Sequence, residues 1–155
     1  MNETYSIGVD LGGTNLRVAS YAGGLDFIDS LLLPTRLKEG PQRVVNDMCE
    51  GIETLRSKHN DCRGLVGIGI GSPGPMQLPE RILRNPPNLA GWDNFRLREA
   101  VESKLGTLVQ IESDANLAAL AEQRLGAGKT HGIDSLCVVT LGTGVGSGLI
   151  LRYGT

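Results

Sequence analysis

The sequence has no block of like charges and no long uninterrupted apolar segment. Its formal net charge is −2 at pH 7, so it lacks the basic face through which many proteins bind nucleic acids. The apolar stretch at residues 136–151 is interrupted by four glycines and is too short to span a bilayer. The sequence therefore predicts neither a nucleic-acid partner nor a membrane anchor.

Cysteines are few and widely separated. The three, Cys49, Cys62 and Cys137, form no Cys-x-x-Cys pair, which argues against a disulfide framework and against a zinc site in this chain. Residues 1–4 lack the basic and apolar segments that open a secretory signal. Reduced thiols and the missing signal predict a cytoplasmic protein.

Composition favours a packed core, since 40% of the 155 residues are hydrophobic and 21% are charged. The spacing of apolar residues and the turn residues predict the order of the elements. These are a hairpin with strands near 7–9 and 16–18, a strand at 25–33, a helix from Pro41, a strand at 65–71, helices at 95–105 and 115–125 around a strand at 108–111, and a hairpin of 136–141 with 147–151.

This order, βββαβαβα followed by ββ, predicts an α/β lobe over residues 1–133. The lobe resembles the ribonuclease-H-like half of the actin-like ATPase fold. The last hairpin repeats the opening pattern of strand, glycine-rich turn and strand. Residues 134–155 are therefore interpreted as the opening hairpin of a second lobe that is otherwise missing.

A glycine-rich turn joins the first two strands. Without Cβ atoms at Gly12 and Gly13, backbone N–H groups can approach phosphate oxygens closely, and Thr14 and Asn15 add polar side chains. Asp10, at the end of the first strand, is placed to hold a Mg²⁺ ion through a water molecule. A tight hairpin alone would also use Gly-Gly, but the Asp, Thr and Asn beside it favour phosphate binding.

Two further glycine-rich segments are less specific. Residues 142–148 alternate glycine with Thr, Val and Ser, a pattern that is common in hairpin turns and could also close over nucleotide phosphates. Residues 126–130 end like a Walker A loop, but Gln123 stands where the first glycine of that motif belongs. A helix precedes the segment instead of a strand, so it is interpreted as a helix C-terminus.

Asp114 stands between a predicted strand and a predicted helix. A carboxylate there is a natural N-cap. It is also well placed to take a proton from a sugar hydroxyl, and kinases need little more from protein side chains than such positioning and charge neutralisation. The residues alone leave both interpretations open.

The long segment 72–94 is rich in proline, glycine and asparagine. In its two densest parts, 71–75 and 85–89, rigid turns present backbone groups and asparagine amides, which suits a polyhydroxylated ligand. A rigid turn without a ligand is the alternative. Trp92 is interpreted as a packing residue, and neither His59 nor His131 as catalytic.

Together these segments resemble the ROK family of bacterial glucokinases, other sugar kinases and sugar-responsive repressors, from about Ser6 to the last residue. No single motif is specific to this family, but the set of motifs in this order is. The motifs are Asp10-Leu-Gly-Gly-Thr-Asn15, Gly67-Ile-Gly-Ile-Gly-Ser-Pro-Gly-Pro75, Pro87-Asn-Leu89, Ser113-Asp-Ala-Asn116 and Leu141-Gly-Thr-Gly-Val-Gly146.

The resemblance implies ATP-dependent phosphorylation of a hexose, most simply glucose at its 6-hydroxyl, with ATP and Mg²⁺ and with a homodimer as the complete protein. Asp114 would be the base that takes the hydroxyl proton. Gly12, Gly13, Thr14, Asn15, Gly142, Thr143 and Gly144 would bind phosphates. Asn88, Ser113 and the backbone of Ser72, Pro73 and Gly74 would contact the sugar.

Two departures from the family limit these expectations. Many members have asparagine where this chain has Ser113, which leaves the choice of hexose open. Most of the family's second lobe, with its zinc motif, adenine pocket and dimer surface, has no counterpart here. We therefore expect a fragment, truncated or natural, whose 155 residues are inactive alone.

Three other functions compete with a kinase. A ROK-type repressor carries a winged helix before the phosphate turn, and only nine residues precede Asp10. A ribonuclease-H-like nuclease needs several carboxylates around two metals, whereas the strand at 65–71 offers none. The sequence also leaves open a catalytically silent sugar-binding fragment.

Overall fold

The computed structural model describes residues 3–23, 25–59, 63–142 and 144–152. The chain divides into two units, residues 1–112 and residues 113–155, and each is described by itself. The predicted boundary near residue 133 concerns the lobes of a longer protein and stays a prediction.

The elements follow the predicted order, with additions in the long loop and after the third helix. The strands are β1 Glu3–Leu11, β2 Asn15–Ala22, β3 Phe27–Pro34, β4 Arg63–Ser72, β5 Met76–Gln77, β6 Ile82–Leu83, β7 Val109–Ser113, β8 Leu136–Leu141 and β9 Val145–Ile150. The helices are α1 Pro41–Lys58, α2 Leu97–Leu105, α3 Asp114–Arg124 and α4 Ala127–Thr130, with a 3-10 turn at Leu37–Glu39. No helix among the described residues is both long and apolar enough to cross a membrane.

A mixed five-stranded sheet in the order β3-β2-β1-β4-β7 forms the frame of the first unit. β1 pairs antiparallel with β2 and parallel with β4. Asp10, near the end of β1, has Arg17 as its partner on β2 and Gly71 as its partner on β4. The ends of β1 and β4 therefore place the two glycine-containing segments, 10–15 and 71–75, side by side.

Helix α1 covers one face of this sheet. Pro41 occupies its first turn, where a missing N–H costs nothing. A Cβ atom on Gly51 would lie 3.2 Å from the side chains of Val18 and Leu33, so this glycine lets the helix approach β2 and β3 closely. The predicted apolar face is confirmed, because all of its members are fully buried: Val44, Val45, Met48, Ile52 and Leu55.

The long segment after β4 is fixed by buried apolar side chains and contains the short hairpin β5–β6, which the sequence did not predict. Leu83, Leu89 and Trp92 are buried in the core of the first unit. The Trp92 ring meets that of Phe95 edge to face, at 5.0 Å between centroids. Trp92 is thus a packing residue, as predicted.

In the second unit, helix α3 packs on the hairpin β8–β9 through small residues. A Cβ atom on Gly148 would lie 2.3 Å from the carbonyl oxygen of Ala115 and 2.6 Å from the Cβ of Ala119. Both alanines are buried and lie four residues apart, on one face of α3. The segment 126–130 forms the helical turn α4 after α3, and not the strand-to-loop arrangement of a Walker A motif.

Candidate active site

The β1–β2 turn is a tight backbone structure that excludes side chains at its first glycine. The N–H of Gly12 donates to the carbonyl of Asn15 at 2.9 Å, and a Cβ on Gly12 would lie 2.9 Å from that same oxygen. The carbonyl of Thr14 accepts the N–H of Thr35 at 2.8 Å. Gly13, Thr14 and Asn15 are exposed. These backbone hydrogen bonds therefore hold the turn in place, while its backbone and polar side chains are exposed to solvent.

Gly13 lies against the loop that the sequence predicted for sugar binding. A Cβ placed on it would be 3.3 Å from the carbonyl oxygen of Asn88 and 3.8 Å from the Cβ of the same residue. The candidate phosphate turn and the candidate sugar loop are thus neighbours within residues 1–112. A phosphoryl transfer requires two such sites to adjoin.

A second close contact joins the two parts of the sugar loop. Gly74 has φ +95°, and a Cβ there would be 2.5 Å from the Cβ of Pro86 and 2.8 Å from its Cα. Ser72 and Pro73 are buried, and the hydroxyl of Ser72 donates to the carbonyl of Pro73 at 3.4 Å. Asn88 is exposed. Of the four residues of this loop that were predicted to contact the sugar, Asn88 and Gly74 are therefore the two that are at least partly exposed.

The loop that carries Asn88 is held in an unusual backbone conformation. Asn85 and Asn94 have φ of 42° and 61°, in the left-handed region that few residues other than glycine occupy. The carboxylate of Asp93 accepts the N–H of Asn85 at 2.9 Å and the side-chain amide of Asn94 at 2.7 Å. Asp93 thus links the two ends of the loop.

Asp114 is the first residue of α3, and Ser113 precedes it without a side-chain capping bond. The carboxylate of Asp114 accepts the N–H of Ala115 at 2.7 Å and is exposed to solvent. Asp114 is therefore not the N-cap that the sequence left open, although a negative charge in the first helical turn is favourable. An exposed, oriented carboxylate at a strand–helix junction can accept a proton.

The turn between β8 and β9 repeats the exposed glycine pattern. The N–H of Gly142 donates to the carbonyl of Gly144 at 3.0 Å, and both glycines are exposed. Thr143, the third residue predicted to bind phosphate there, lies outside the described residues.

No group of three or more His, Cys, Asp and Glu side chains that could hold a metal occurs among the described residues. Asp10 offers a single exposed carboxylate beside glycine backbone. One carboxylate fits Mg²⁺, which keeps several waters and takes further oxygens from a bound nucleotide.

The family model of the ROK family matches residues 6–153. The chain belongs to the ROK family. It is 31% identical over 151 residues to a glucokinase of Halalkalibacterium halodurans, an alignment that covers 97% of this chain and 45% of that protein. It is also 28% identical over 154 residues to the xylose repressor of Bacillus subtilis, covering 96% of this chain and 38% of the repressor.

Solved ROK structures share the fold. The ROK hexokinase of Thermus thermophilus superposes with a TM-score of 0.80 at 36% identity, covering 95% of this chain and 47% of that one. A ROK family glucokinase of Streptomyces griseus, solved with glucose and AMPPNP, gives a TM-score of 0.83 at 30% identity, covering 97% and 47%. The chain therefore has the actin-like ATPase fold of ROK sugar kinases, and it spans less than half the length of these relatives.

Two polar residues that hold the segment 72–94 of this ROK chain in place were not identified from the sequence. Asp93 links Asn85 to Asn94, and Arg81 on the β5–β6 hairpin forms an ion pair with Glu112 on β7. The turn-forming Asn-Pro and Asp-Asn pairs around the loop were the only local signal. A hydrogen-bond partner many residues away leaves no periodic trace in a sequence.

Proposed function

We propose that the complete protein is an ATP-dependent hexose kinase that phosphorylates glucose at its 6-hydroxyl. The observation that carries this proposal is the contact between the candidate phosphate turn and the candidate sugar loop, where a Cβ on Gly13 would lie 3.3 Å from the Asn88 carbonyl. The kinase relatives support the same reaction class, and one of their structures contains glucose and AMPPNP.

In this proposal the phosphates of ATP bind two glycine-rich turns, where N–H groups can surround anionic oxygens. Asp10 holds Mg²⁺ through a water molecule. The phosphate-binding residues are Gly12, Gly13, Thr14 and Asn15 of the first turn, and Gly142, Thr143 and Gly144 of the second.

Asp114 is proposed as the general base that takes the proton of the sugar hydroxyl. Its exposure and its fixed orientation at the start of α3 support this role. Asn88, Ser113 and the backbone of Gly74 would orient the sugar. Since Ser72 and Pro73 are buried, their contribution would be to shape the loop rather than to contact the hexose through side chains.

Replacing Asp114 with asparagine in the full-length protein tests the proposal. Asparagine can still accept the N–H of Ala115, so the helix start is retained while the proton acceptor is lost. We expect kcat to fall by about 10²- to 10⁴-fold, the usual size of a general-base contribution, with sugar affinity in calorimetry nearly unchanged.

The matched control is Asp134→Asn, which neutralises another exposed carboxylate of the second unit, one that is paired with Arg152. This control should keep normal turnover. Near-normal turnover of Asp114→Asn would show that Asp114 only favours the helix start, and the proposed base would have to be abandoned.

A second candidate is a sugar-binding or regulatory protein without turnover, because the xylose repressor of Bacillus subtilis is also a relative. Hexose binding in calorimetry without ADP release in a coupled assay would favour this alternative. A panel of hexoses in the same assay would identify the substrate.

Assembly and location complete the proposal. We expect the full-length protein to be a homodimer in the cytoplasm, which light scattering and cell fractionation would test. A monomer at working concentration would contradict the first of these expectations.

A further inference from the structure

Arg81 has a backbone conformation that arginine rarely adopts. It directly precedes β6 in the β5–β6 hairpin, with φ +57°. This is the left-handed region, where a Cβ atom is crowded and where glycine or asparagine is favoured. A glycine would fit the backbone here without strain, so the backbone gives no reason for an arginine.

The side chain of Arg81 supplies a reason. Its Nη1 donates to Oε2 of Glu112, and both side chains are partly buried, with 26% and 32% of their area exposed. The two residues are 31 positions apart, so the ion pair joins the hairpin to the sheet. Charge-assisted hydrogen bonds between arginine and carboxylate are among the stronger polar contacts in proteins, and partial burial protects them from screening.

Glu112 lies on an edge strand of the sheet and close in sequence to the proposed base. It belongs to β7, a five-residue strand at the edge of the sheet, where β4 is its neighbour in the order of the described strands. Asp114 follows Glu112 by two residues. Among the described strands β7 has a ladder partner on one side only, so the side-chain contact of Glu112 adds to the interactions that position the end of this strand.

A second arginine close to the hairpin makes a contact that does not extend to the sheet. Arg84 follows β6, and its Nε donates to Oε1 of Gln77 on β5 at 2.9 Å. That contact stays within the hairpin and its flank. Arg81 is the hairpin arginine whose ion pair reaches the sheet.

We propose that Arg81 is a positioning residue of the kinase, and that its ion pair with Glu112 fixes the end of β7 from which the proposed base, Asp114, follows. This inference rests on the proposed function. It explains why an arginine stands where the backbone favours glycine.

The test is Arg81→Gly in the full-length protein. Glycine removes the ion pair and relieves the strain at φ +57°. We expect kcat at saturating sugar and ATP to fall at least about 10-fold, since small displacements of reacting groups can cost up to about 100-fold. The KM for ATP should stay within about 2-fold of the wild type, and the midpoint of urea unfolding should be unchanged or higher. A merely structural ion pair would give the opposite pattern, with lower stability and normal kcat.

Four further variants sharpen the result. Glu112→Gln should lower kcat as Arg81→Gly does, and the double variant should lose no more than either single one. Arg81→Lys, which keeps the charge, should recover part of the loss. Arg84→Gln, the matched control on the same hairpin, should have normal kcat. Normal kcat in Arg81→Gly, or additive losses in the double variant, would overturn the proposal.

Hydrogen exchange of residues 109–113 separates this inference from the proposed function. If the wild type phosphorylates no hexose, the kinase proposal fails by itself. Faster exchange of these amides in Arg81→Gly than in Arg84→Gln would still support the role of the ion pair at the end of β7. Equal exchange would refute that role, whatever the activity.

Discussion

Replacing Gly74 with alanine would introduce a methyl group that is opposed both by the backbone conformation and by a close neighbour, Pro86. The residue has φ +95°, which costs about 1–2 kcal/mol for a side chain that crowds the backbone. Its Cβ would lie 2.5 Å from the Cβ of Pro86 and 2.8 Å from the Cα, well inside the ~3.5–4.0 Å of a normal carbon contact. Because the proline ring cannot rotate away, overpacking adds about 1–3 kcal/mol.

Together these terms predict that Gly74→Ala lowers the free energy of unfolding by about 2–5 kcal/mol, a large part of the roughly 5–15 kcal/mol typical of a domain. If the loop yields instead, the segment that carries Asn88 moves and the stability loss is smaller, but hexose affinity falls. Urea unfolding followed by the fluorescence of Trp92, the one tryptophan of the chain, measures the first outcome. Calorimetry with glucose measures the second.

Alanine variants of two other glycines allow the cost of the backbone conformation and the cost of the steric contact to be measured separately. Gly91 has φ +82°, but a methyl group placed on it would meet no heavy atom within 4 Å, so Gly91→Ala should show the backbone cost alone. Gly69 lies within β4 and has neither a positive φ nor a neighbour within 4 Å, so its alanine variant should be as stable as the wild type or up to about 1 kcal/mol more stable. A Gly74→Ala protein as stable as Gly91→Ala, with unchanged hexose affinity, would refute the contact between Gly74 and Pro86.

Valine at Gly13 should abolish ATP binding and also weaken hexose binding, because its branches would press on the Asn88 carbonyl 3.3 Å from the Cβ position. Calorimetry with each ligand tests this, and unchanged ATP affinity would remove the phosphate role of the turn. Burial raises the pKa of the Cys49 thiol, so Cys49 should resist iodoacetamide at about pH 8, near the ordinary thiol pKa, until the chain unfolds. Cys137 is exposed and should react in the folded chain; equal adduct formation at both sites in peptide mapping would contradict the burial of Cys49.

The sequence by itself determined the features that depend on neighbours along the chain. The turn 10–15, the apolar face of α1 and the hairpin β8–β9 were all predicted, because glycine-rich turns and periods of two or 3.6 residues are local patterns. The order of the five sequence motifs between Asp10 and Gly146 was enough to indicate the ROK family, and the match over residues 6–153 confirmed it.

Short or irregular elements escaped that local reasoning. The strands β5 and β6 have two residues each, too few to show a period. Ser72 follows a run of alternating glycines and was expected to offer its backbone to a sugar, yet it is fully buried. Burial depends on what packs over a residue, and the residues that do so are distant in sequence.

Only the tertiary structure decided which segments meet. The sequence predicted Gly13 to bind phosphate and Asn88 to contact the sugar, but it did not indicate that these two residues lie against each other. The pairing of Arg81 with Glu112 likewise crosses 31 positions of the chain. A charged side chain in a turn is ordinarily solvated, and nothing local distinguishes one that reaches a partner. Such contacts are selected by the packing of the sheet, the hairpin and the loop together, so they become visible only once the chain has folded.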